Sequence, residues 1–364
     1  MKEDFKLETN EIEKLCEAGA MAPSGGNTQP WKVLIRKNVF EIKLDPKRSD
    51  SFIDVGRYAS IFSLGCFTEN VCIVADYMGI KYELQFIDSK KNNDPFVRIS
   101  FKSRQKGITS AKSLYPFIKK RTTNRQLYDG AIIDKNDFNS LAQILKNFDK
   151  NFRLTFVSSH EKKVKAADIL GKADGIRLMN DRLFNEMMGE FRWSQKEVLK
   201  TRDGLDLKTL ELPGNADKMF LLLKKFPFAR KIIPKKALER FARPLMLGCS
   251  HLCCLSFRGK PTPHTMFLAG RLIERLWLTA TKLNLAIQPW TVFNFILIRA
   301  TYYPNSGLSR QEENESLQIG KDFRQLYKLY KTGFPLFIFR LSKAKAPSAH
   351  SLRIPWQEYT KVNL

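Results

Sequence analysis

The stretch Ala22-Pro23-Ser24-Gly25-Gly26-Asn27-Thr28-Gln29-Pro30-Trp31 decides how this chain folds, and the apolar run Lys32-Val33-Leu34-Ile35 follows it directly. Its glycines and prolines predict a loop, and the apolar run predicts a strand that begins where the loop ends. A small, glycine-rich loop can bring backbone donors and an asparagine amide close to a flat heteroaromatic ligand. The stretch therefore predicts a ligand-contacting loop, with an ordinary helix-to-strand turn as the alternative.

This loop resembles the Pro-Ser-x-x-Asn-x-Gln-Pro-Trp loop of the flavin-dependent nitroreductase family, in particular through Asn27, Gln29 and Trp31. In that family the loop reaches the FMN of a neighbouring subunit. The resemblance implies that FMN is the cofactor and that four residues of the loop belong to its site, namely Ser24, Gly25, Asn27 and Gln29.

A second motif follows later in the chain. Arg121-Thr122-Thr123-Asn124-Arg125 resembles the Arg-x-Ser-x-Arg segment with which the same family binds the FMN 5′-phosphate. A phosphate dianion in a partly dry cleft needs guanidinium forks and a hydroxyl donor, which Arg121, Thr123 and Arg125 offer at alternating positions. The alternative is a solvated basic turn, because two lysines precede the motif.

The two motifs occur in the opposite order to that of the family, where the phosphate-binding segment comes first. The economical explanation is a tandem duplication in which each half kept a different part, so that one chain imitates the family's homodimer and holds one FMN between its halves. We expect a first nitroreductase-like half over residues 1–110 and a second over residues 111–364. Such a chain is expected to be a monomer or a weak dimer.

An internal repeat supports this duplication. Two sets of residues share the same internal spacing at a constant offset of 205: Gly65, Glu69, Ala75 and Gly79, and Gly270, Glu274, Ala280 and Asn284. Each set ends on a residue that tolerates the left-handed conformation, which suits a helix C-cap. Chance similarity between two apolar helices is the alternative.

Several segments of the second half resemble the Acg-like branch of the family, whose members are single-chain duplicated nitroreductase folds. They are residues 191–193, 201–205, 269–271 and 346–355. In the family a basic pair just before a proline returns to the FMN phosphate. The resemblance therefore implies that Arg353 is a further cationic ligand, with Ser351 or His350 in place of the second basic residue. A surface arginine near a chain end is the alternative for Arg353.

The isoalloxazine ring of FMN requires apolar walls, and donors or positive charge near its pyrimidine end. Asn27 and the backbone of the two glycines are candidates for contact with the ring or the ribityl chain. Gln288 and Pro289 are candidates for the dimethylbenzene side or the ribityl edge. Arg192 and Arg243 are candidates for the pyrimidine end, with solvated or ion-paired arginines as the alternative.

Hydrophobic periodicity gives the secondary structure. Helices are predicted over residues 11–21, 58–78, from 134, 159–187 and 265–283, and strands over 31–36, 40–44, 82–87, 97–101, 152–157, 252–257, 291–300 and 335–341. Central helices mixed with short strands predict a three-layer α+β sandwich, internally duplicated as described above.

Composition bounds the class of protein. The chain has 364 residues, 43% of them hydrophobic, which is enough for a sizeable core. A secretory signal is not evident, and no apolar run nears the ~20 residues of a membrane span, so a cytoplasmic location is predicted. The six cysteines lack paired Cys-x-x-Cys spacing and are predicted to be reduced core residues. With four scattered histidines, no metal site is predicted.

The formal net charge is +25, and one segment is notably basic. Residues 218–243 hold nine lysines or arginines against one acid, interleaved with aliphatic and aromatic residues. In the Acg-like branch the corresponding region, about 205–245, is a lid over the flavin, which Pro227 and Pro234 are expected to break into short helices here. The composition also suits a peripheral contact with an anionic membrane, or simply a solvated basic face. Nucleic acid is not a predicted partner, because no recognised module accompanies the charge.

The resemblance implies an FMN-dependent oxidoreductase of nitroreductase type. NAD(P)H would pass a hydride through FMN to a nitroaromatic, a quinone or a similar small-molecule acceptor. Because the cofactor carries this chemistry, no catalytic side chain is assigned. One alternative is an FMN-sequestering or storage protein with a closed lid and little turnover, and another is a membrane-associated partner protein with a vestigial fold.

Overall fold

The computed structural model of the chain describes residues 5–88, 97–105, 109–128, 130–212 and 216–363. Its helices are α1 (Thr9–Ala20), α2 (Pro46–Ser49), α3 (Tyr58–Met78), α4 (Thr109–Leu114), α5 (Lys135–Ile144), α6 (His160–Met179), α7 (Asp181–Glu190), α8 (Gln195–Thr201), α9 (Ala216–Lys225), α10 (Lys235–Arg240), α11 (Arg243–Leu247), α12 (Pro263–Lys282), α13 (Val292–Tyr302), α14 (Arg310–Leu326) and α15 (Trp356–Tyr359). Its strands are β1 (Trp31–Arg36), β2 (Val39–Leu44), β3 (Ile80–Phe86), β4 (Val97–Arg104), β5 (Phe152–Val157), β6 (Phe191–Arg192), β7 (Leu205–Asp206), β8 (His251–Arg258), β9 (Leu285–Pro289), β10 (Gly333–Lys343) and β11 (Thr360–Asn363).

Two sheets enclose a layer of helices. The first sheet has the strand order β11-β1-β2-β4-β3 and the second has the order β5-β8-β10-β9. Helix α3 packs on β2 and β3, α12 packs on β9 and β10, and the two helices pack against each other. The result is the predicted α+β sandwich of three layers, with the core between the sheets.

The two central helices cross at a pair of glycines. A Cβ atom at Gly65 would lie 2.1 Å from the carbonyl oxygen of Phe267, and one at Gly270 would lie 2.0 Å from that of Phe62. Only glycine allows the two backbones to approach so closely. Gly65 and Gly270 occupy equivalent positions in the sequence repeat, so each half offers the same residue to the contact, as in a twofold-symmetric interface.

The helix ends follow the repeat as well. Gly79 at the end of α3 has φ 70°, and Asn284, just beyond α12, has φ 56°. Both are the left-handed C-terminal residues that the sequence predicted. The backbone N–H of Gly79 bonds the carbonyl oxygens of Ala75 and Asp76 and closes the last turn of α3.

Helix α3 is the core helix of the first half. The span Val55–Met78 is long and apolar enough to cross a membrane, but 94% of its most apolar window is buried inside the protein. All six cysteines are buried and unpaired, as predicted for core residues. Burial raises the pKa of the Cys249 thiol to about 11, so this group stays protonated near neutral pH.

One predicted element is wrong. The strand expected over residues 291–300 is the helix α13, and the preceding segment forms β9 instead. Phe293, Ile296 and Leu297 are all buried. A helix that is apolar all round and a buried strand give the same run of apolar residues, so periodicity could not distinguish them.

The end of the chain joins the first sheet. Strand β11 pairs in parallel with β1, placing Thr360 opposite Val33. The sequence prediction assigned residues 360–363 to the second half, which was expected to span residues 111–364. Their strand instead completes the sheet that β1, β2, β3 and β4 form in the first half. This crossing also carries the preceding segment, residues 349–355, past the loop over residues 22–31.

Candidate functional site

A cavity of about 630 Å³ lies where the two halves meet. Of the predicted site residues, ten line it: Ser24, Gly25, Asn27, Arg121, Thr123, Arg125, Gln288, Pro289, Ser351 and Arg353. They come from four separate segments of the sequence. The fold therefore brings together the three motifs identified in the sequence and the end of β9.

Gln29 from the 22–31 loop is 1% exposed and does not line the cavity. Its Nε2 donates to the carbonyl oxygen of Arg202 at 2.9 Å, and its Oε1 accepts from the backbone N–H of Ile354 at 2.9 Å. Gln29 thus ties the loop to two distant segments. Both polar ends of its side chain are therefore engaged within the protein, and neither faces the cavity.

The loop itself adopts an uncommon backbone conformation. Gly26, Asn27 and Gln29 have φ values of 56°, 54° and 52°. Left-handed backbone at residues other than glycine is unfavourable and persists only where the surroundings hold it. Here the Ser24 hydroxyl accepts from the backbone N–H of Gln29 at 2.9 Å, and the carbonyl oxygen of Asn27 accepts from Gly204 at 3.3 Å.

Arg121 is the buried cation of the second motif. Its Nη2 donates to the carbonyl oxygen of Met21 at 2.8 Å, and its guanidinium lies over the Trp277 ring at 4.7 Å from the centroid. Its Nε is 3.5 Å from a carboxylate oxygen of Glu274, a residue with no exposed surface. Arg121 is held in place at the N-terminal end of the 22–31 loop.

Arg353 approaches the same point from the end of the chain. Its Nη1 donates to Oδ1 of Asn27 at 3.0 Å, and its Nη2 lies 3.5 Å from the Met21 carbonyl oxygen that Arg121 also contacts. Burial, with the nearby charge of Arg121, lowers the pKa of Arg353 to about 9. Two guanidiniums are thus gathered at one place in the cavity wall.

Positive charge exceeds negative charge at this place. Burial raises the pKa of Glu274 to about 7, although Arg121 opposes the shift. Within the described part of the chain, Arg353 Nε has no hydrogen-bond acceptor and Arg121 Nε has only the Glu274 carboxylate, at 3.5 Å. Incompletely neutralised cations are costly to bury, and an anionic ligand in the cavity would offset their charge.

Arg125 lies in a different environment from the other two arginines. Its Nη1 donates to the carbonyl oxygen of Thr209 at 2.9 Å, in the insert. Burial, with a smaller contribution from the neighbouring charge of Arg340, lowers the pKa of Arg125 to about 10. The motif therefore sends Arg121 and Arg125 to different neighbours, whereas the sequence predicted one common clamp.

Arg340 is a buried residue that sequence analysis missed. It has no exposed surface, donates through Nη1 to the carbonyl oxygen of Leu245 at 3.0 Å, and lies over the Tyr128 ring at 3.9 Å. Its Nε donates to Oε1 of Gln288, which fixes the orientation of that amide in the cavity wall. A lone arginine inside an otherwise apolar strand, Phe339-Arg340-Leu341, was the available signal.

Two carboxyl groups of the wall were also missed. Asp174 accepts from Trp290 Nε1 at 3.1 Å, and burial raises its pKa to about 7. Asp54 accepts from the backbone N–H groups of Ala59 and Ser60 at 2.6 and 2.9 Å, and burial raises its pKa to about 6. Asp54 caps the start of α3, and no sequence motif marks either residue.

Arg192 and Arg243 do not line the cavity. Arg192 is paired with Asp203 at 2.6 Å, and Arg243 with Asp168 at 3.0 Å. The ion-paired alternative therefore describes both arginines, and neither is placed to meet the pyrimidine end of a flavin.

The basic insert forms one wall of the cavity. It comprises β7, the 3₁₀ turn Leu207–Leu210, helices α9, α10 and α11 and the 3₁₀ turn Pro227–Lys231, while residues 213–215 lie outside the described part of the chain. Pro227 opens the turn after α9 and Pro234 precedes α10, as predicted. The insert residues that line the cavity are Leu205, Thr209, Leu210, Leu212, Phe220, Leu238, Phe241, Ala242 and Leu245.

The remaining walls are largely apolar and aromatic. Phe62 and Phe337, one from each half, stack with 4.9 Å between ring centroids. Met187, Phe191 and Trp277 also line the cavity. The arrangement offers flat apolar surfaces beside a cationic end, which suits a planar ligand that carries an anionic group.

Comparison with known proteins points to one family. Residues 2–60, which include the 22–31 loop, match the model of the Nitroreductase family. Over 353 residues the chain is 28% identical to an uncharacterized protein of Mycobacterium tuberculosis (strain CDC 1551 / Oshkosh), covering 95% of this chain and 47% of that protein. The chain thus spans about half the length of this curated relative.

Solved structures resemble the chain at low sequence identity. The FMN-dependent nitroreductase NfnB of Mycobacterium smegmatis, in complex with NADPH, has a TM-score of 0.39 and 12% identity, over 70% of this chain and 99% of that chain. A nitroreductase with bound FMN from Bacteroides fragilis has a TM-score of 0.34 and 11% identity, over 66% and 93%. Similarity at this level does not carry a function from one protein to another. The match to the Nitroreductase family model is confined to residues 2–60, the segment that bears the 22–31 loop.

Proposed function

We propose that this protein is an FMN-dependent oxidoreductase of nitroreductase type. The observation that carries the proposal is a pair of guanidiniums, of buried Arg121 and half-buried Arg353, that meet at the Met21 carbonyl in the wall of a mostly apolar cavity. A phosphate monoester dianion matches the charge and geometry of such a pair.

The residues present fit FMN in three respects. The cavity volume of about 630 Å³ lies within the roughly 300–1,000 Å³ of small-molecule sites. The guanidiniums of Arg121 and Arg353, which line the cavity, would hold the phosphate, with Asn27 orienting Arg353. The aromatic walls would enclose the isoalloxazine ring, and Gln288, held by Arg340, would offer its amide to a polar edge.

When bound, FMN supplies the hydride chemistry that links NAD(P)H to a nitroaromatic, quinone or similar acceptor. The chain's own residues bind and orient. Arg121 and Arg353 hold the anionic end, the 22–31 loop shapes the polar wall, and the insert excludes water from the apolar end. We assign no side chain as a general acid or base.

We infer that the chain arose by tandem duplication and holds one FMN. The equivalent glycines of α3 and α12 face each other, while the phosphate-binding arginines and the 22–31 loop each occur once. The cavity takes residues from both halves of a single chain, so the site needs no second copy.

A storage protein is the second candidate, and the insert is the observation that favours it. Phe220, Phe241 and Leu245 close one wall of the cavity, and Thr209 is bonded to Arg125 beneath them. If this wall does not move, NAD(P)H cannot reach the ring face, and the protein would retain FMN without turnover.

The absorption spectrum of the purified protein distinguishes these functions. We expect flavin absorbance, about one FMN and no FAD released per chain, and bleaching on anaerobic addition of NADH or NADPH. Bound FMN that neither cofactor bleaches would favour storage. A protein that cannot be loaded with FMN would contradict both.

A further inference from the structure

The insert, whose inner side forms a wall of the cavity, exposes several large apolar side chains on its outer side. Five large apolar side chains lie exposed on α9 and on the chain that follows it: Leu221, Leu222, Phe226, Phe228 and Ile232. Phe228 is 63% exposed and Ile232 is 77% exposed. We call these five residues the outer apolar face. Exposed apolar patches of this kind mark interaction surfaces.

The core does not require these side chains. The inner side of α9 already buries Leu223, which packs with Phe184 and Phe191, while Phe220 lines the cavity. Helix α9 is therefore apolar on two sides, and only one of them has a partner in the described chain.

Unpaired positive charge surrounds the outer apolar face. Five exposed cations of the insert between residues 216 and 245 make no ion pair with the described residues: Lys218, Lys224, Lys225, Lys236 and Arg240. Lys218, Leu222 and Lys225 follow one another at i, i+4 and i+7, so they share one side of α9. Other cations of the insert are neutralised, as Arg230 is by Asp181.

We propose that the outer apolar face docks on an anionic phospholipid bilayer. Lysines would meet the phosphate headgroups, and leucine, phenylalanine and isoleucine side chains would enter the interface between headgroups and acyl chains. A second copy is a poor partner, because it would present the same basic surface in a chain of net charge +25. A nucleic acid would use the cations but has no need of five exposed apolar side chains.

The contact is peripheral. The membrane-length helix of the described chain, Val55–Met78, is buried in the core, and α9 has only ten residues. A short amphipathic helix with a basic rim lies in the plane of the interface and does not cross it. The other side of the same helix forms the cavity wall, so the bilayer would lie next to the lid.

Co-sedimentation of the full chain with sucrose-loaded vesicles tests the proposal. Pure phosphatidylcholine vesicles are compared with equimolar phosphatidylcholine and phosphatidylglycerol. The apolar variant is Phe228→Ser with Ile232→Ser, and the charge variant is Lys224→Glu with Lys225→Glu. A control variant, Lys146→Glu with Lys150→Glu, makes the same change in net charge at two exposed positions that are distant from the insert in the sequence.

We expect binding to the anionic vesicles only, weakened by salt and by about tenfold or more in both insert variants, with the control within about twofold of the parent. All the substituted side chains are exposed, so folding should be retained, which circular dichroism checks. In the variant Phe228→Trp alone, the new indole should shift its emission to the blue with anionic vesicles.

Three results would overturn the proposal. The first is equal loss of binding in the control, which would mean that overall charge is responsible. The second is full binding by the apolar variant. The apolar side chains would then be dispensable, and the contact would be a purely electrostatic one of the kind that a nucleic acid could also make. The third is an unshifted emission from Phe228→Trp on vesicles that sediment with the protein.

Discussion

At the scale of single residues, the proposed anion site lies at the Met21 carbonyl. Arg121 and Arg353 both reach that oxygen, and Glu274 is the carboxylate beside them. Arg121 is also the partner of the fully buried Glu274, so removing Arg121 would leave a buried carboxyl group unpaired. Arg353 therefore offers the cleaner test of ligand binding.

Arg353→Ala is expected to weaken FMN binding by ~1.5–3 kcal/mol, the usual contribution of a charge-assisted hydrogen bond. Arg36→Ala serves as the control, since the side chain of Arg36 is 62% exposed on β1. Fluorescence titration of FMN into the apoprotein measures both. Equal affinity of Arg353→Ala and Arg36→Ala would show that the phosphate binds elsewhere.

Glu274 gives the site a pH dependence with a definite sign. Burial raises its pKa to about 7, so above that pH its carboxylate neutralises one guanidinium and competes with a phosphate. FMN affinity should therefore fall as pH rises through about 7, by at most about tenfold per pH unit. A phosphate monoester has a second pKa of about 6, so the ionisation of FMN itself does not explain a fall in affinity above pH 7.

In Glu274→Gln this decline should disappear, and binding above pH 7 should be tighter than in the parent. Titrations a unit above and a unit below the pKa test both statements. Since the folded-state pKa is raised, Glu274 also makes stability fall between its usual value of 4.5 and about 7 as pH rises. A parent whose affinity is constant over this range would contradict the assignment.

At the scale of secondary-structure elements, the crossing of α3 and α12 fixes how the two halves meet. Gly65→Ala or Gly270→Ala places a methyl group about 2 Å from a backbone carbonyl oxygen. Since backbone cannot rotate away as a side chain can, we expect a loss of roughly 1–3 kcal/mol or more in the free energy of unfolding. Urea denaturation measures it.

Gly189→Ala in α7 is the matched control. A Cβ atom there meets nothing within 4 Å, so the substitution should be neutral or stabilising by up to about 1 kcal/mol. If Gly65→Ala were as stable as Gly189→Ala, the close approach of α3 and α12 would not exist in solution.

On the scale of the whole molecule, the insert is the part that decides access to the cavity. Phe220 lines the cavity from α9, while its neighbour Leu222 is 52% exposed on the outer side. Phe220→Ala is expected to speed FMN dissociation by about tenfold and Leu222→Ala to leave it unchanged, because only the first opens the wall. Stopped-flow dilution measures the dissociation rates. Identical rates for the two variants would show that the insert is not a lid.

The sequence by itself determined the local features of this protein. Helix α3 and strands β1 and β5 were predicted with the bounds that the structure has, since each is a local run of residues with the length and composition typical of its element. The glycine-rich loop and the proline breaks of the insert also followed from short-range backbone chemistry. The choice of the ten predicted site residues that line the cavity followed from resemblance to a family.

Only the tertiary structure decided what depends on distant partners. It made Gln29 a tie between segments, separated Arg125 from Arg121 and Arg353, and brought β11 to the first sheet. It also turned residues 292–302 into a helix and buried Arg340 behind Gln288. Each outcome depends on hydrogen bonds or packing between residues that are far apart in the chain. Local periodicity and composition carry no information about such contacts.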